Sequence, residues 1–173
     1  MKDKKNIVII GMTGSSKTTT GKIVAQRLGL DFFDADDEIV KKYSLSIPQI
    51  FERFGEDGFR ERETAVIEQL CKKEGVVISC GGGVILREEN MTMLKKSGVV
   101  VQLYADPEIL YGRISGDSNR PVTSGKTAVQ LKELYEKRKP LYEKYCDCKI
   151  DNSALSPEQT ADEMLRKCGV AMH

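Results

Sequence analysis

Eight consecutive residues, Gly11-Met12-Thr13-Gly14-Ser15-Ser16-Lys17-Thr18, combine the groups that phosphate chemistry needs. Glycine lets the backbone turn its N–H groups inward around phosphate oxygens. A helix opening at the lysine adds free N–H donors and a favourable dipole. Lys17 is long enough to reach the β- and γ-phosphates of a nucleotide, and the Thr18 hydroxyl suits Mg²⁺. An apolar run at 7–10 precedes the segment and a helical pattern follows it, the context a phosphate-binding loop requires. The plainer reading is a Gly/Ser-rich turn before an ordinary helix. One position departs from the pattern: the residue before the lysine is Ser16 rather than glycine. A side chain there would crowd the β-phosphate or strain the turn.

A second set of residues could act on whatever the nucleotide meets. Asp34 and Asp36 follow Phe32-Phe33. If those phenylalanines end a strand, both carboxylates lie at its carboxyl tip, the edge where open α/β sheets bind ligands. A carboxylate there holds Mg²⁺ through water or accepts a substrate hydroxyl proton. The competing reading is an acidic first turn of a helix. Gly81-Gly82-Gly83 follows another apolar run, where backbone can approach a ligand closely or simply turn. Arg60, Arg120 and Arg138 suit phosphate and carboxylate, although any one arginine is more often solvated.

Other chemistries are poorly served. His173 is the only histidine and the last residue, so a Ser–His or Cys–His nucleophile has no base. The five cysteines, Cys71, Cys80, Cys146, Cys148 and Cys168, fit no zinc spacing and read as free thiols in a reducing cytoplasm. A net charge of +1 and 6% aromatic residues argue against nucleic acid as a partner. The charged start and short apolar run make neither a signal segment nor a membrane span, so a cytoplasmic protein is expected.

The elements that must position these groups are legible as alternating patterns. Strands are expected at 7–10, 76–79 and 99–103, with weaker ones at 31–33 and 148–150. Their runs lack strict alternation, as when helices cover both faces of a parallel sheet. Helical spacing covers 17–28, 47–54, 59–73, 88–97, 107–115, 127–145 and 157–167. Gly29 suits a helix stop and Pro48 a helix start. Strand and helix alternate, giving an α/β class with three layers and about five parallel strands. The 173 residues fit one domain, 1–173. Residues 115–126, rich in Ser, Gly and Asn, read as a mobile lid loop.

Taken in order, residues 11–19, Asp34-Ala35-Asp36, Gly55-Glu56 with Phe59-Arg60 and Glu63, Gly81-Gly82-Gly83, Asn119-Arg120-Pro121 and Arg138 with Pro140-Leu141-Tyr142 resemble the shikimate kinases. That family lies among the nucleoside-monophosphate-kinase-like P-loop folds, and the resemblance spans about 6–165. It implies ATP and Mg²⁺, and shikimate as the small-molecule substrate, phosphorylated on its 3-hydroxyl. Gly11, Gly14, Ser15, Ser16, Lys17, Thr18 and Thr19 would hold ATP phosphates. Thr18 and Asp34 would organise Mg²⁺. Asp36 would bind the attacking hydroxyl, with Lys17 and Arg120 completing the catalytic set. Arg60, Gly82 and Arg138 would bind shikimate, Glu63 would orient Arg60, and the substrate-binding region would span about 34–63. Arg113 and Pro157 match the positions that sandwich adenine. The resemblance also suggests a monomer. Two rivals stand beside it: a gluconate-like small-molecule kinase, and a degenerate kinase whose ATP binding Ser16 impairs.

Overall fold

A computed structural model describes residues 6–115 and 126–168. Its centre is a parallel sheet of β1 (Asn6–Ile10), β2 (Asp31–Asp34), β3 (Val76–Ser79), β4 (Gly98–Tyr104) and β5 (Cys148–Asp151), in the order β2-β3-β1-β4-β5. Ile7 pairs with Val77 on one side and Val99 on the other, which fixes the register of the middle strands. All five sequence-read strands are present.

The apolar runs are continuous because the sheet is covered twice. Val8 and Ile10 face one core, while Ile7 and Ile9 face a second one with Val24, Ala161 and Met164. Val8, Ile9 and Ile10 are fully buried, and each such side chain contributes roughly 1.5–3 kcal/mol. The second core is roofed by α1 (Lys17–Leu28) and α7 (Pro157–Lys167). The first is roofed by α2 (Ala35–Tyr43), α3 (Ile47–Cys71), α4 (Glu88–Ser97), α5 (Pro107–Ile114) and α6 (Ala128–Tyr145). Capping boxes at Ser46–Gln49, Thr127–Gln130 and Ser156–Gln159 set the starts of α3, α6 and α7. Gly29, at φ 66°, closes α1 as its sequence suggested.

Two features sharpen the sequence reading and a third corrects it. Asp34–Asp37 is both a strand end and a helix start: Asp34 ends β2, and its carboxylate caps α2 by accepting from the Asp37 N–H at 3.1 Å. The helices expected at 47–54 and 59–73 are both present within Ile47–Cys71, and the path between them breaks at Gly55, with φ 68° and ψ −174°. The expectation of five free thiols is corrected. Cys148 and Cys168 form a disulfide, their Cα atoms 5.8 Å apart, while Cys71, Cys80 and Cys146 are free. The pairing arises because α7 packs back along β5, bringing its end to the amino end of that strand. That is the opposite end of β5 from the phosphate loop.

Candidate active site

The chain leaves β1 towards β2 on one side of the sheet and later crosses to β4 on the other. The carboxyl end of β1 is therefore the place where such a sheet opens a crevice. A cleft of about 820 Å³ lies there, running from the loop after β1 to the ends of β2 and β3.

The loop is shaped by backbone constraints. Gly11 has φ +148°, and a Cβ on it would lie 2.2 Å from the Leu103 carbonyl oxygen, so only glycine fits against β4. Gly14 has φ +85°. Ser16 also takes a left-handed conformation, φ 64° and ψ 27°, and makes no side-chain cap to α1. The Lys17 ammonium donates to the Met12 carbonyl at 2.8 Å, as does the Ser15 hydroxyl at 2.6 Å. The Thr18 hydroxyl donates to Asp34 Oδ2 at 2.6 Å, bringing two hard oxygen ligands together beside the lysine.

A brace unseen in the sequence holds the loop from its far side. Asn152, buried just beyond β5, donates to the Ser15 carbonyl at 2.8 Å. Arg113 donates to the Gly14 carbonyl at 3.1 Å and to the Asn152 carbonyl at 3.2 Å. Arg113 lines the cleft, whereas Pro157 opens α7 outside the lining. Gly14, Ser16, Lys17, Thr18 and Thr19 line the cleft, while Gly11 and Ser15 support it from behind.

At the other end of the cleft lie Asp36, Arg60, Glu63, Gly82 and Arg138. Arg60 and Arg138 are 6% and 5% exposed, which sets both apart from ordinary surface arginines. Arg60 Nη1 donates to Glu63 Oε1 at 2.9 Å, and its guanidinium lies so close to Gly83 that a Cβ there would sit 2.2 Å from Nη2. An apolar wall of Val40, Ile47, Phe51 and Phe59, the two rings stacked at 4.7 Å, faces these charges. These four come from two helices and both sides of the break at Gly55, so no single sequence periodicity marks them as one wall. Arg120, and the 116–125 part of the expected lid, lie outside the described residues.

Electrostatics in this half are dominated by Glu63. Burial pushes its carboxyl up to about 7, the Arg60 charge and hydrogen bond pull it down, and the Asp36 charge pushes it up further. Its Oε2 has no hydrogen-bond partner among the described residues. A carboxyl raised in the folded state binds its proton more tightly there than when unfolded. Its stabilising share is full below about pH 4.5 and is lost as pH rises through about 7. Glu63→Gln should remove that slope. Urea unfolding between pH 4.5 and 8 should show the wild type losing up to about 3 kcal/mol that the variant keeps. Parallel profiles would mean that Glu63 ionises normally. Cys80, fully buried beside the cleft, has its thiol pushed well up by burial, which disfavours a thiolate nucleophile.

A phosphate-gripping loop thus faces a pocket with an acid, two buried guanidiniums and an apolar wall. The family model described as shikimate kinase matches residues 13–169. A shikimate kinase of Caldicellulosiruptor saccharolyticus is 46% identical over 162 residues, covering 93% of this chain and 94% of that protein. The structure of an Acinetobacter baumannii shikimate kinase in complex with shikimate is 36% identical, with TM-score 0.90 over 94% of this chain and 91% of that one. A gluconokinase from Sinorhizobium meliloti 1021, 18% identical over 99% of this chain and 95% of that one, has TM-score 0.63 and shares the fold alone.

Proposed function

The chain belongs to the shikimate kinase family, an enzyme family that transfers a phosphoryl group from ATP to shikimate, and we propose how its own residues divide that work. The observation that carries this reading is the single cleft joining Lys17 and Thr18 to Asp36, Arg60 and Arg138. Gly14, Ser15, Ser16, Thr19 and the amides of the loop from Gly11 onward wrap the ATP phosphates. Lys17, drawn off the Met12 carbonyl, follows the charge on the β- and γ-phosphates. Thr18 and Asp34 would hold Mg²⁺, whose charge offsets that of the phosphates; their paired oxygens suit a hard cation. Arg113 and Pro157 frame adenine.

Shikimate is an anion with an alicyclic ring. Arg60 and Arg138 clamp its carboxylate, Gly82 meets it through backbone, and Phe51 and Phe59 pack on the ring. Asp36 accepts the proton of the 3-hydroxyl as that oxygen bonds to the γ-phosphorus and the bond to ADP breaks. Arg120 meets the charge of the transferring group. No covalent intermediate is needed, since phosphoryl transfer rests on positioning and charge. The resemblance to the shikimate kinases supports a monomer, and the use of ATP supports the cytoplasm. No helix among the described residues is long and apolar enough to cross a membrane.

A coupled ADP-release assay with ATP, Mg²⁺ and shikimate tests the reading, beside shikimate-free and gluconate controls. Release that depends on shikimate alone is expected. Equal release with gluconate would shift the reading to the rival small-molecule kinase. Arg138→Lys should raise the KM for shikimate about fivefold, because lysine has no bidentate fork for the carboxylate. An unchanged KM would remove Arg138 from the clamp.

A further inference from the structure

The glycine triplet poses a physical problem. Gly81, Gly82 and Gly83 have no side chains to fix them, yet they form the floor between Asp36, Arg60 and Arg138. Glycine is the residue with the most conformations to lose, so a floor made of three needs external restraint. Two of its carbonyls are restrained locally. The Val84 N–H donates to the Gly81 carbonyl and the Leu86 N–H to the Gly83 carbonyl, both at 3.1 Å, through the short 3₁₀ turn Val84–Leu86. The middle carbonyl is restrained from elsewhere. The Tyr142 hydroxyl, on α6 and 60 residues along the chain, donates to the Gly82 carbonyl oxygen.

Tyr142 is placed to do more than hold backbone. Its side chain is fully buried. It stands one helical turn after Arg138, and residues four apart share a helix face. The Arg138 guanidinium faces the phenol oxygen, and its Nη1 lies 3.4 Å from where a Cβ on Gly82 would be. One hydroxyl therefore sits between the glycine floor and a buried arginine. Because a peptide is planar, fixing the Gly82 carbonyl also fixes the N–H of Gly83 on the opposite side. Burial pushes the phenol up to about 12 against the pull of Arg138, so it stays protonated and able to donate at any working pH.

We infer that Tyr142 is a positioning residue for the substrate, its hydroxyl locking the Gly82–Gly83 peptide and the Arg138 guanidinium in the arrangement that receives the shikimate carboxylate and ring. This rests on the assignment of Gly82 and Arg138 to shikimate. The ATP loop has braces of its own in Asn152 and Arg113, and although Thr13 borders Gly82, the effect on ATP is expected to be the smaller one.

Tyr142→Phe tests the inference, since it removes one oxygen and keeps the ring. The control is Tyr135→Phe on the same helix, a buried tyrosine outside the cleft lining. Steady-state kinetics would be run well below the melting midpoint of every variant, with Arg138→Lys in parallel. Tyr142→Phe should raise the KM for shikimate about fourfold while the KM for ATP stays within twofold, and Tyr135→Phe should change neither. Calorimetric binding of shikimate alone should weaken by a similar factor. A normal shikimate KM in Tyr142→Phe, with Arg138→Lys impaired, would overturn the inference and leave the site assignment standing. Normal shikimate KM values in both would overturn the site assignment first and the inference with it. An equal rise in both KM values would reduce Tyr142 to a purely structural role and overturn the inference.

Discussion

Asp36→Ala should lower kcat by about a thousandfold while leaving the dissociation constant for ATP within twofold. The size follows from the role: a positioned general base contributes on the order of 10²–10⁴ to a rate, and a thousandfold is about 4 kcal/mol of barrier. The selectivity follows from position. Asp36 stands in the first turn of α2, beside the glycine floor, where a Cβ on Gly81 would lie 3.1 Å from its Oδ1. The phosphate grip, by contrast, belongs to Lys17, Thr18 and the loop backbone. Asp36→Asn should fail nearly as badly, because an amide keeps the shape and accepts no proton. Stability supplies a second readout. Asp36 pushes the buried Glu63 carboxyl upward, so its removal should leave the protein at least as stable as before, as expected where function and stability compete. A variant with more than a tenth of wild-type kcat would refute the general-base assignment. Weakened ATP binding would move Asp36 to the nucleotide half of the cleft.

What was legible beforehand has a common physical basis. The strands were readable because residues such as Val8, Val77 and Val100 are buried on a sheet covered on both faces, which forces short unbroken apolar runs. Lys17 and Thr18 were readable because a phosphate loop is local: strand, turn and helix start lie within a dozen residues. Asp34 and Asp36 were readable as chemistry yet ambiguous as structure, since the same carboxylates that suit a strand tip also suit a helix start. The break at Gly55 was legible as the gap between the helical patterns at 47–54 and 59–73. The remaining features join residues far apart in sequence. Asn152 reaches Ser15 across 137 positions, and Tyr142 reaches Gly82 across 60. Nothing in local patterning separates a buried tyrosine that packs from one that also holds a loop. The pairing of Cys148 with Cys168 was hidden for the same reason, since it depends on where α7 lands.

Ser16→Gly is the one substitution expected to improve this enzyme, lowering the KM for ATP about tenfold and raising the melting temperature by about 3 °C. Two arguments converge on it. Ser16 is held at φ 64° and ψ 27°, a conformation that costs a residue with a Cβ about 1–2 kcal/mol. Serine at a helix start usually recovers energy by capping, but that bond needs an extended backbone, and Ser16 makes no such cap. Glycine gives up some entropy in the unfolded chain, which leaves a net gain of about 1 kcal/mol, or about 3 °C for a chain this size. The second argument is steric. Ser16 lines the cleft immediately before Lys17, so its side chain stands where backbone N–H groups must approach a phosphate. Removing it should act on ATP and leave the KM for shikimate within twofold. Ser16→Ala separates the Cβ from the hydroxyl. Alanine keeps the same strain and bulk, so it should resemble the parent in both measurements. If alanine gains as much as glycine, the hydroxyl is the obstacle. If glycine gains nothing, the loop accommodates a side chain at this position, and neither argument holds.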